Sequence, residues 1–217
     1  SLMAEVDLEQ ACRRVIFGEN KVCGLTRSQD AQAAYNAGAI YGGLIFHSKS
    51  PRCVDLDCAQ AITQSAPLKF VGVFVDEPTE KVAHAASVLK LAAVQLHGQE
   101  SDDYIKALRT QLPSNCEIWK AQAIKDELPT PVNGVDRHLY DTHSDKQAGG
   151  TGKVFDWSLL RDATTPFMLA GGLNPDNIKD ALYQGALGLD LNSGVEDAPG
   201  KKCPNKLHHA FTSIRNY

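Results

Sequence analysis

The sequence of 217 residues predicts an α/β protein of the (β/α)8, or TIM barrel, type. Three observations predict this fold. Eight apolar runs of strand length recur along the chain, starting at positions 21, 41, 69, 92, 117, 138, 166 and 188. The segments between the runs carry helix signals, and the glycine-rich turns come late, after the last three runs. A doubly wound open sheet is the competing fold, but it usually has fewer strands and an early glycine-rich phosphate turn.

The runs are continuously apolar rather than alternating, which is typical of parallel strands that are buried on both faces. In chain order they read KVCG, YGGLIF, KFVGVFV, AAVQLH, EIWKAQAI, HLYDT, PFMLAG and GLDLNS. We expect each of them to form one barrel strand.

The intervening helices are indicated by residues that favour helix ends. Ser28 and Ser101 are predicted to be N-caps, and Pro78 is predicted to lie near a first helical position. Asn174 is predicted to cap a further helix, with Pro175 at the next position. The fifth unit is the exception, because KDELPTPVNGVD contains two prolines and can form little helix.

The first 18 residues predict one additional helix ahead of the barrel. Leu8, Cys12, Val15 and Ile16 recur with helical spacing and share one face. We therefore expect residues 1–18 to form an N-terminal helix and residues 19–217 to form a single barrel domain. The helix either covers the bottom of the barrel or is a remnant of the junction to an upstream domain.

Composition and charge exclude several classes of function. A net charge of -4 and a pI near 6.0 argue against a nucleic-acid-binding protein. No apolar run approaches the roughly 18 residues of a membrane span, and the acidic start of the sequence is unlike a signal peptide. The six cysteines show no zinc-like spacing, so we expect reduced thiols and a cytoplasmic protein.

Polar residues at the ends of five strands predict the active site, because reactive groups in this fold lie at the carboxyl ends of the strands. The five candidates are Cys23, Arg52, His97, Asp141 and Asp190. Cys23 and Asp141 come from strands that face each other across the barrel mouth, which suits a proton-removing and a proton-donating group. Free thiols have a pKa of about 8.5, so a modest lowering near Lys21, Arg52 or a helix N-terminus would make Cys23 a usable base, and the sequence does not fix its ionisation state. Arg52 is suited to pair with a carboxylate.

The late glycine-rich loops predict a phosphate site, since glycine lets backbone N–H groups approach an anion closely. The candidate residues are Gly150, Gly152, Gly171, Gly172, Ser193 and Gly194. In these barrels the loops after the seventh and eighth strands commonly hold phosphate. Simple tight turns are the alternative explanation for these glycines.

Several stretches in this order resemble the phosphoribosylanthranilate isomerase family of tryptophan biosynthesis. They are KVCGLT, SPR, VGVFV, AVQLHG, DT at 141, GGTGKVFDW, AGGLNPDN and DLNSGVE. The chain resembles in particular the isomerase half of a bifunctional bacterial protein, which implies a covalently fused indole-3-glycerol-phosphate synthase domain upstream. The resemblance implies a phosphorylated small-molecule substrate and no cofactor and no metal, while charge and hydropathy predict no nucleic-acid partner and no membrane partner.

The resemblance also implies roles for the candidate residues in an Amadori rearrangement. Asp141 would be the general acid that opens the ribose ring, and Cys23 the general base. Arg52 would hold the anthranilate carboxylate, the glycine loops and Ser193 would hold the phosphate, and His97 and Asp190 would have supporting roles. The alternatives are a metal-dependent epimerase with His97 and Asp141 as ligands, a non-catalytic domain that braces a fused partner, and a dual-substrate isomerase.

Overall fold

A computed structural model describes residues 2–142 and 157–215, with side chains described from residue 8 onward. Eight parallel strands form a closed barrel in which each strand pairs with its neighbours in sequence and the eighth pairs with the first. The strands are β1 (Lys21–Val22), β2 (Tyr41–Ile45), β3 (Lys69–Phe74), β4 (Ala93–Leu96), β5 (Glu117–Ala123), β6 (Arg137–Asp141), β7 (Phe167–Ala170) and β8 (Gly188–Leu191). All eight predicted strands are confirmed.

Helices surround the barrel. They are α1 (Leu2–Phe17), α2 (Ser28–Ala37), α3 (Leu56–Thr63), α4 (Thr79–Val88), α5 (Asp102–Gln111), α6 (Ile178–Leu182) and α7 (Pro204–Arg215). A 3-10 helix spans Trp157–Asp162, and another spans Ser193–Val195. Residues 124–136, between β5 and β6, contain no helix, as the two prolines predict.

Helix starts agree with the predictions in part. Ser101 caps α5, and its hydroxyl accepts a hydrogen bond from the Tyr104 N–H. Ser28 is the first helical residue rather than the cap of α2, a position that Arg27 takes. The prediction for Asn174 is wrong, because α6 begins only at Ile178. The side chain of Asn174 instead accepts from the Asp176 N–H, and this local turn replaces the first turn of the predicted helix.

The main hydrophobic core lies between the strands and the surrounding helices, and two smaller clusters come from the strands. One smaller cluster includes Tyr41 and Trp119, whose rings meet edge to face at 5.0 Å. The other includes Leu139 and Met168. Side chains two positions apart on a strand share a face, so the inner face of the barrel has layers of side chains beneath its mouth.

A short hairpin follows the barrel and leads into the last helix. Its antiparallel strands are β9 (Glu196–Ala198) and β10 (Lys201–Lys202). The backbone N–H of Cys203, directly after β10, donates to the Val195 carbonyl, which ties the hairpin to the segment after β8. None of the helices in the described part of the chain has both the length and the apolar character needed to cross a membrane.

Candidate active site

A cavity of about 400 Å³ opens at the carboxyl ends of the barrel strands. It brings together side chains from many separate segments of the chain. Eight predicted site residues line it: Cys23, Arg52, His97, Asp141, Gly171, Gly172, Asp190 and Ser193. Gly194 lies next to this lining, and Gly150 and Gly152 lie outside the described residues.

Cys23 follows directly on β1, and its backbone N–H donates to Leu191 at the end of β8. The residue is buried, with 6% of its surface exposed. Burial raises the pKa of the Cys23 thiol, and the positive charge of Lys21 lowers it without cancelling that effect. The net direction is opposite to the lowering that would make the thiol a stronger proton acceptor at neutral pH, because burial disfavours the thiolate more strongly than the nearby cation favours it.

Lys21 and Asp190 form a buried ion pair within the barrel. The Lys21 Nζ lies 2.8 Å from Oδ2 of Asp190, and the lysine side chain has no exposed surface. Burial lowers the pKa of Lys21, but the charges and hydrogen bonds of Asp190 and Cys23 together outweigh it, so the pKa lies above its ordinary value. The lysine therefore remains an ammonium ion at neutral pH.

Asp141 is the last residue of β6 and faces His97, which follows β4. The His97 Nε2 lies 3.9 Å from Oδ2 of Asp141. Burial lowers the pKa of His97, and the nearby Asp141 carboxylate opposes that shift. The Thr142 hydroxyl donates to the carbonyls of Ala170 and Gly171, which ties the end of β6 to the loop after β7. The carboxyl group thus has a neutral imidazole as a neighbour and a restrained backbone beneath it.

Arg52 is held by an ion pair that sequence reasoning missed. Its Nε lies 2.9 Å from Oε1 of Glu196, and its Nη2 lies 2.6 Å from Oε2. The same carboxylate accepts from Lys202 Nζ at 2.7 Å. Because one edge of the guanidinium is engaged, a ligand carboxylate would have to bind at the Nη1 end. Neither Glu196 nor Lys202 lies at a barrel-strand end, so position in the sequence carried no signal for them.

The loops after β7 and β8 approach each other closely on one side of the cavity. Gly171 and Gly172 have φ values of 99° and 63°, which favour glycine. A Cβ atom at Gly194 would lie only 2.0 Å from the carbonyl oxygen of Leu173. Two loops with such close backbone approach, together with the Ser193 side chain at the cavity wall, form a suitable cradle for a small anion.

Two further polar side chains at the cavity, those of Gln95 and Asn192, were not predicted. Gln95 lies on β4, is 2% exposed, and its Oε1 has no hydrogen-bond partner among the described residues. Its position within an apolar strand gave no indication of a role. Across the described residues, no group of three or more His, Cys, Asp or Glu side chains is arranged to hold a metal ion. All six cysteines are unpaired, as expected.

Several solved structures of known proteins have a fold similar to this barrel. Phosphoribosylanthranilate isomerase from Thermotoga maritima matches with a TM-score of 0.79 and 31% identity, covering 92% of this chain and all of that one. TrpF from Jonesia denitrificans also matches with a TM-score of 0.79, at 30% identity, covering 92% of this chain and 97% of that one. A third structure, an isomerase in complex with reduced 1-(o-carboxyphenylamino)-1-deoxyribulose 5-phosphate, matches with a TM-score of 0.76 and 28% identity, covering 92% and 100% of the two chains.

Comparison with curated sequences gives closer relatives. The tryptophan biosynthesis protein TrpCF of Vibrio parahaemolyticus is 54% identical over the whole chain, and that of Yersinia pestis is 52% identical. The chain spans 45% of the length of each of these relatives. The family model described as N-(5'-phosphoribosyl)anthranilate isomerase matches residues 20–213, which include all of the barrel strands and the cavity. The chain therefore belongs to the N-(5'-phosphoribosyl)anthranilate isomerase family.

Proposed function

We propose that this chain converts N-(5'-phosphoribosyl)anthranilate to 1-(o-carboxyphenylamino)-1-deoxyribulose 5-phosphate by general acid–base catalysis, as a step of tryptophan biosynthesis. One observation supports this most directly. Cys23 and Asp141, from opposite sides of the barrel, line one cavity together with the glycine loops after β7 and β8. A thiol, a carboxyl group and an anion cradle around one space match the needs of a phosphorylated sugar that must lose and gain protons.

The reaction opens with a proton transfer from Asp141. Its carboxyl group protonates the ribose ring oxygen, the C1'–O bond breaks, and the anilino nitrogen supplies the electron pair for a C=N bond. The thiolate of Cys23 then removes the proton at C2'. The electrons form a C1'=C2' bond and return the C=N pair to nitrogen, which gives an enolamine that tautomerises to the ketone. The product is an isomer of the substrate, and return of one proton from the Cys23 thiol to the Asp141 carboxylate, by exchange with solvent, resets both groups for the next turnover.

Arg52 is suited to hold the anthranilate carboxylate. The ion pair with Glu196 fixes its guanidinium, and the free end can form a further charge-assisted pair. The phosphate would bind at the loops after β7 and β8, at Gly171, Gly172, Ser193 and the neighbouring Gly194. Asp190 and His97 line the same cavity. A substrate with two anionic ends would thereby be oriented across the mouth.

The test is an isomerase assay that follows loss of substrate fluorescence, with and without a metal chelator. Cys23→Ala and Asp141→Ala are each expected to reduce kcat by about 100-fold or more while binding of a phosphate-bearing product analogue is retained. Cys12→Ala removes an exposed thiol on α1 and is the matched control, with activity expected to be unchanged. Unchanged activity in Cys23→Ala would contradict the proposal.

The same assay separates the alternatives. A metal-dependent epimerase with His97 and Asp141 as ligands would lose activity in chelator, whereas the proposed isomerase would not. A non-catalytic brace would show no activity in the wild-type protein. Activity on an aminoaldose of histidine biosynthesis would indicate a dual-substrate isomerase, although such enzymes typically use a carboxylate where this chain has Cys23.

We further propose that residues 1–18 adjoin an upstream domain, which by resemblance is an indole-3-glycerol-phosphate synthase. The length of the relatives and the surface of α1 support this. Leu8, Val15 and Ile16 are 66%, 88% and 49% exposed, and apolar side chains clustered on a helix are typical of a surface that another domain covers. Limited proteolysis of the longer protein tests the domain boundary, because cleavage outside residues 1–18 would contradict it.

The six unpaired thiols support a reducing, cytoplasmic setting for the enzyme.

A further inference from the structure

Lys21 is a fully buried cation directly below the candidate base. Its side chain has no exposed surface and lies in the barrel interior. Withdrawing an ammonium ion from water is costly unless a partner and hydrogen bonds compensate. Asp190 supplies the partner at 2.8 Å, across the β1–β8 register that pairs Lys21 with Asp190. An apolar residue at this position would avoid the desolvation cost altogether, so the charge requires an explanation.

The geometry joins the lysine to the thiol. Lys21 and Cys23 are two positions apart on β1 and its extension, so they share the inner face of the barrel. Gly43 on the neighbouring strand lies against both. A Cβ atom at Gly43 would lie 2.7 Å from Sγ of Cys23 and 3.0 Å from Cε of Lys21. The thiol and the lysine side chain therefore occupy adjoining space that exists because β2 carries no side chain there.

Charged groups surround the thiol from four elements. Lys21 comes from β1, Asp190 from β8, Lys202 from β10, and Arg52 from the loop after β2. Lys21 and Lys202 favour the thiolate, whereas the Asp190 carboxylate and burial favour the thiol. Arg52 and Lys202 share the carboxylate of Glu196, which balances one of their two positive charges. Asp190 in turn lies near Asp141 and His97.

We propose that Lys21 is the positioning residue for proton removal by Cys23: its buried ammonium supplies the positive charge that stabilises the thiolate, and Asp190 limits how much of that charge the thiol experiences. Lys21 does not need to touch substrate in this arrangement. It acts through Cys23, by increasing the fraction of thiolate in a site where burial works against ionisation. The proposal rests on the proposed function only for its effect on turnover, since ionisation of the thiol is measurable without substrate.

The test measures the rate of iodoacetamide alkylation at Cys23 against pH, by mass spectrometry of the peptide that contains it. Lys21→Met is expected to move the alkylation midpoint to higher pH, and Asp190→Asn to lower pH. Each pH unit of displacement changes the thiolate fraction at neutral pH by about tenfold. Cys12, exposed on α1 and remote from the pair, is the internal control in the same digest and is expected to titrate identically in every variant.

Opposite shifts from the two variants support an electrostatic role, because a general loosening of the barrel would move both in the same direction. A midpoint in Lys21→Met that is unchanged, or that lies at lower pH than in the wild-type protein, would overturn the proposal. Lys21→Met leaves a buried carboxylate without its partner and could fail to fold. The double variant Lys21→Met/Asp190→Asn is neutral at both positions, and its comparison with Asp190→Asn isolates the effect of the lysine.

Turnover provides the second readout. The acidic limb of the kcat–pH profile is expected to move with the alkylation midpoint in each variant, and the KM is expected to change less than kcat. If turnover is absent in the wild-type protein, the proposed function fails and the alkylation result still decides the role of Lys21. If turnover falls in Lys21→Met while the alkylation midpoint remains unchanged, the role of Lys21 is overturned and the proposed function stands.

Discussion

Glu196 joins two cations beside the candidate active site, and its removal should be costly. Its carboxylate accepts from Arg52 Nη2 at 2.6 Å, from Lys202 Nζ at 2.7 Å and from the Gly200 N–H at 3.2 Å. The side chains of Arg52, Glu196 and Lys202 are 16%, 4% and 0% exposed. In Glu196→Gln the buried Lys202 ammonium loses its carboxylate partner. The acceptors that do not depend on the new side chain are the backbone carbonyl oxygen and the side-chain amide oxygen of Asn192.

The expected cost follows from the stranded charge. Removing one partner of a buried ion pair typically destabilises a protein by about 3–5 kcal/mol. For a domain of this size, each kcal/mol lowers the Tm by roughly 2–4 °C, so the Tm should fall by roughly 6–20 °C. The loss should be partly recovered in Glu196→Gln/Lys202→Met, because the second substitution removes the unpaired cation. The KM should also rise, since Arg52 is no longer held.

Urea unfolding followed by tryptophan fluorescence measures the change in the free energy of unfolding. Asp103→Asn breaks the exposed pair with Lys106 and serves as the control, with an expected change below about 0.5 kcal/mol. A loss in Glu196→Gln no larger than in this control would refute the reasoning. So would a double variant that is less stable than the single one.

The pH dependence of the same variant has a defined sign. Burial raises the pKa of Glu196, but the hydrogen bonds from Arg52 and Lys202 outweigh it, so the pKa lies below its ordinary value. A carboxyl group with a lowered pKa stabilises the folded state above its unfolded pKa, and this contribution is lost as pH falls through the folded value. The difference in stability between wild type and Glu196→Gln should therefore shrink in acid.

The remaining predictions concern the anion cradle and a buried thiol. Gly194→Ala should abolish detectable binding of inorganic phosphate by calorimetry, because its Cβ would clash with the Leu173 carbonyl. In Gly172→Ala the Cβ meets no atom within 4 Å, so this substitution should cost only about 1–2 kcal/mol of stability through its positive φ. Equal effects of the two substitutions on phosphate binding would contradict this. Burial raises the pKa of Cys116 to about 11, so its neutral thiol stabilises the fold less as pH rises from 9 to 11. Cys116→Ala should show a smaller loss of stability over that range than wild type, and parallel losses would contradict it.

Much of the fold could be predicted because its signals are local. Continuous apolar runs such as YGGLIF identify barrel strands, and prolines at 129 and 131 identify the segment between β5 and β6 that contains no helix. Helix starts were less secure. Asn174 has the composition of a cap, but its side chain closes a local turn and the helix begins four residues later. Local turns and helix caps use the same side chains, so sequence does not separate them reliably.

The sequence by itself determined which chemical groups reach the barrel mouth, because parallel strands place their carboxyl ends at one edge and Cys23, His97 and Asp141 lie at or beside such ends. Only the tertiary structure decided how those groups are charged and held. Arg52 meets Glu196 across 144 residues of sequence, and Lys21 meets Asp190 across 169. Closure of the barrel creates both pairs and buries the Cys23 thiol. Burial and the charges of Lys21 and Asp190 set its ionisation, and of these only Lys21 is visible in the neighbouring sequence.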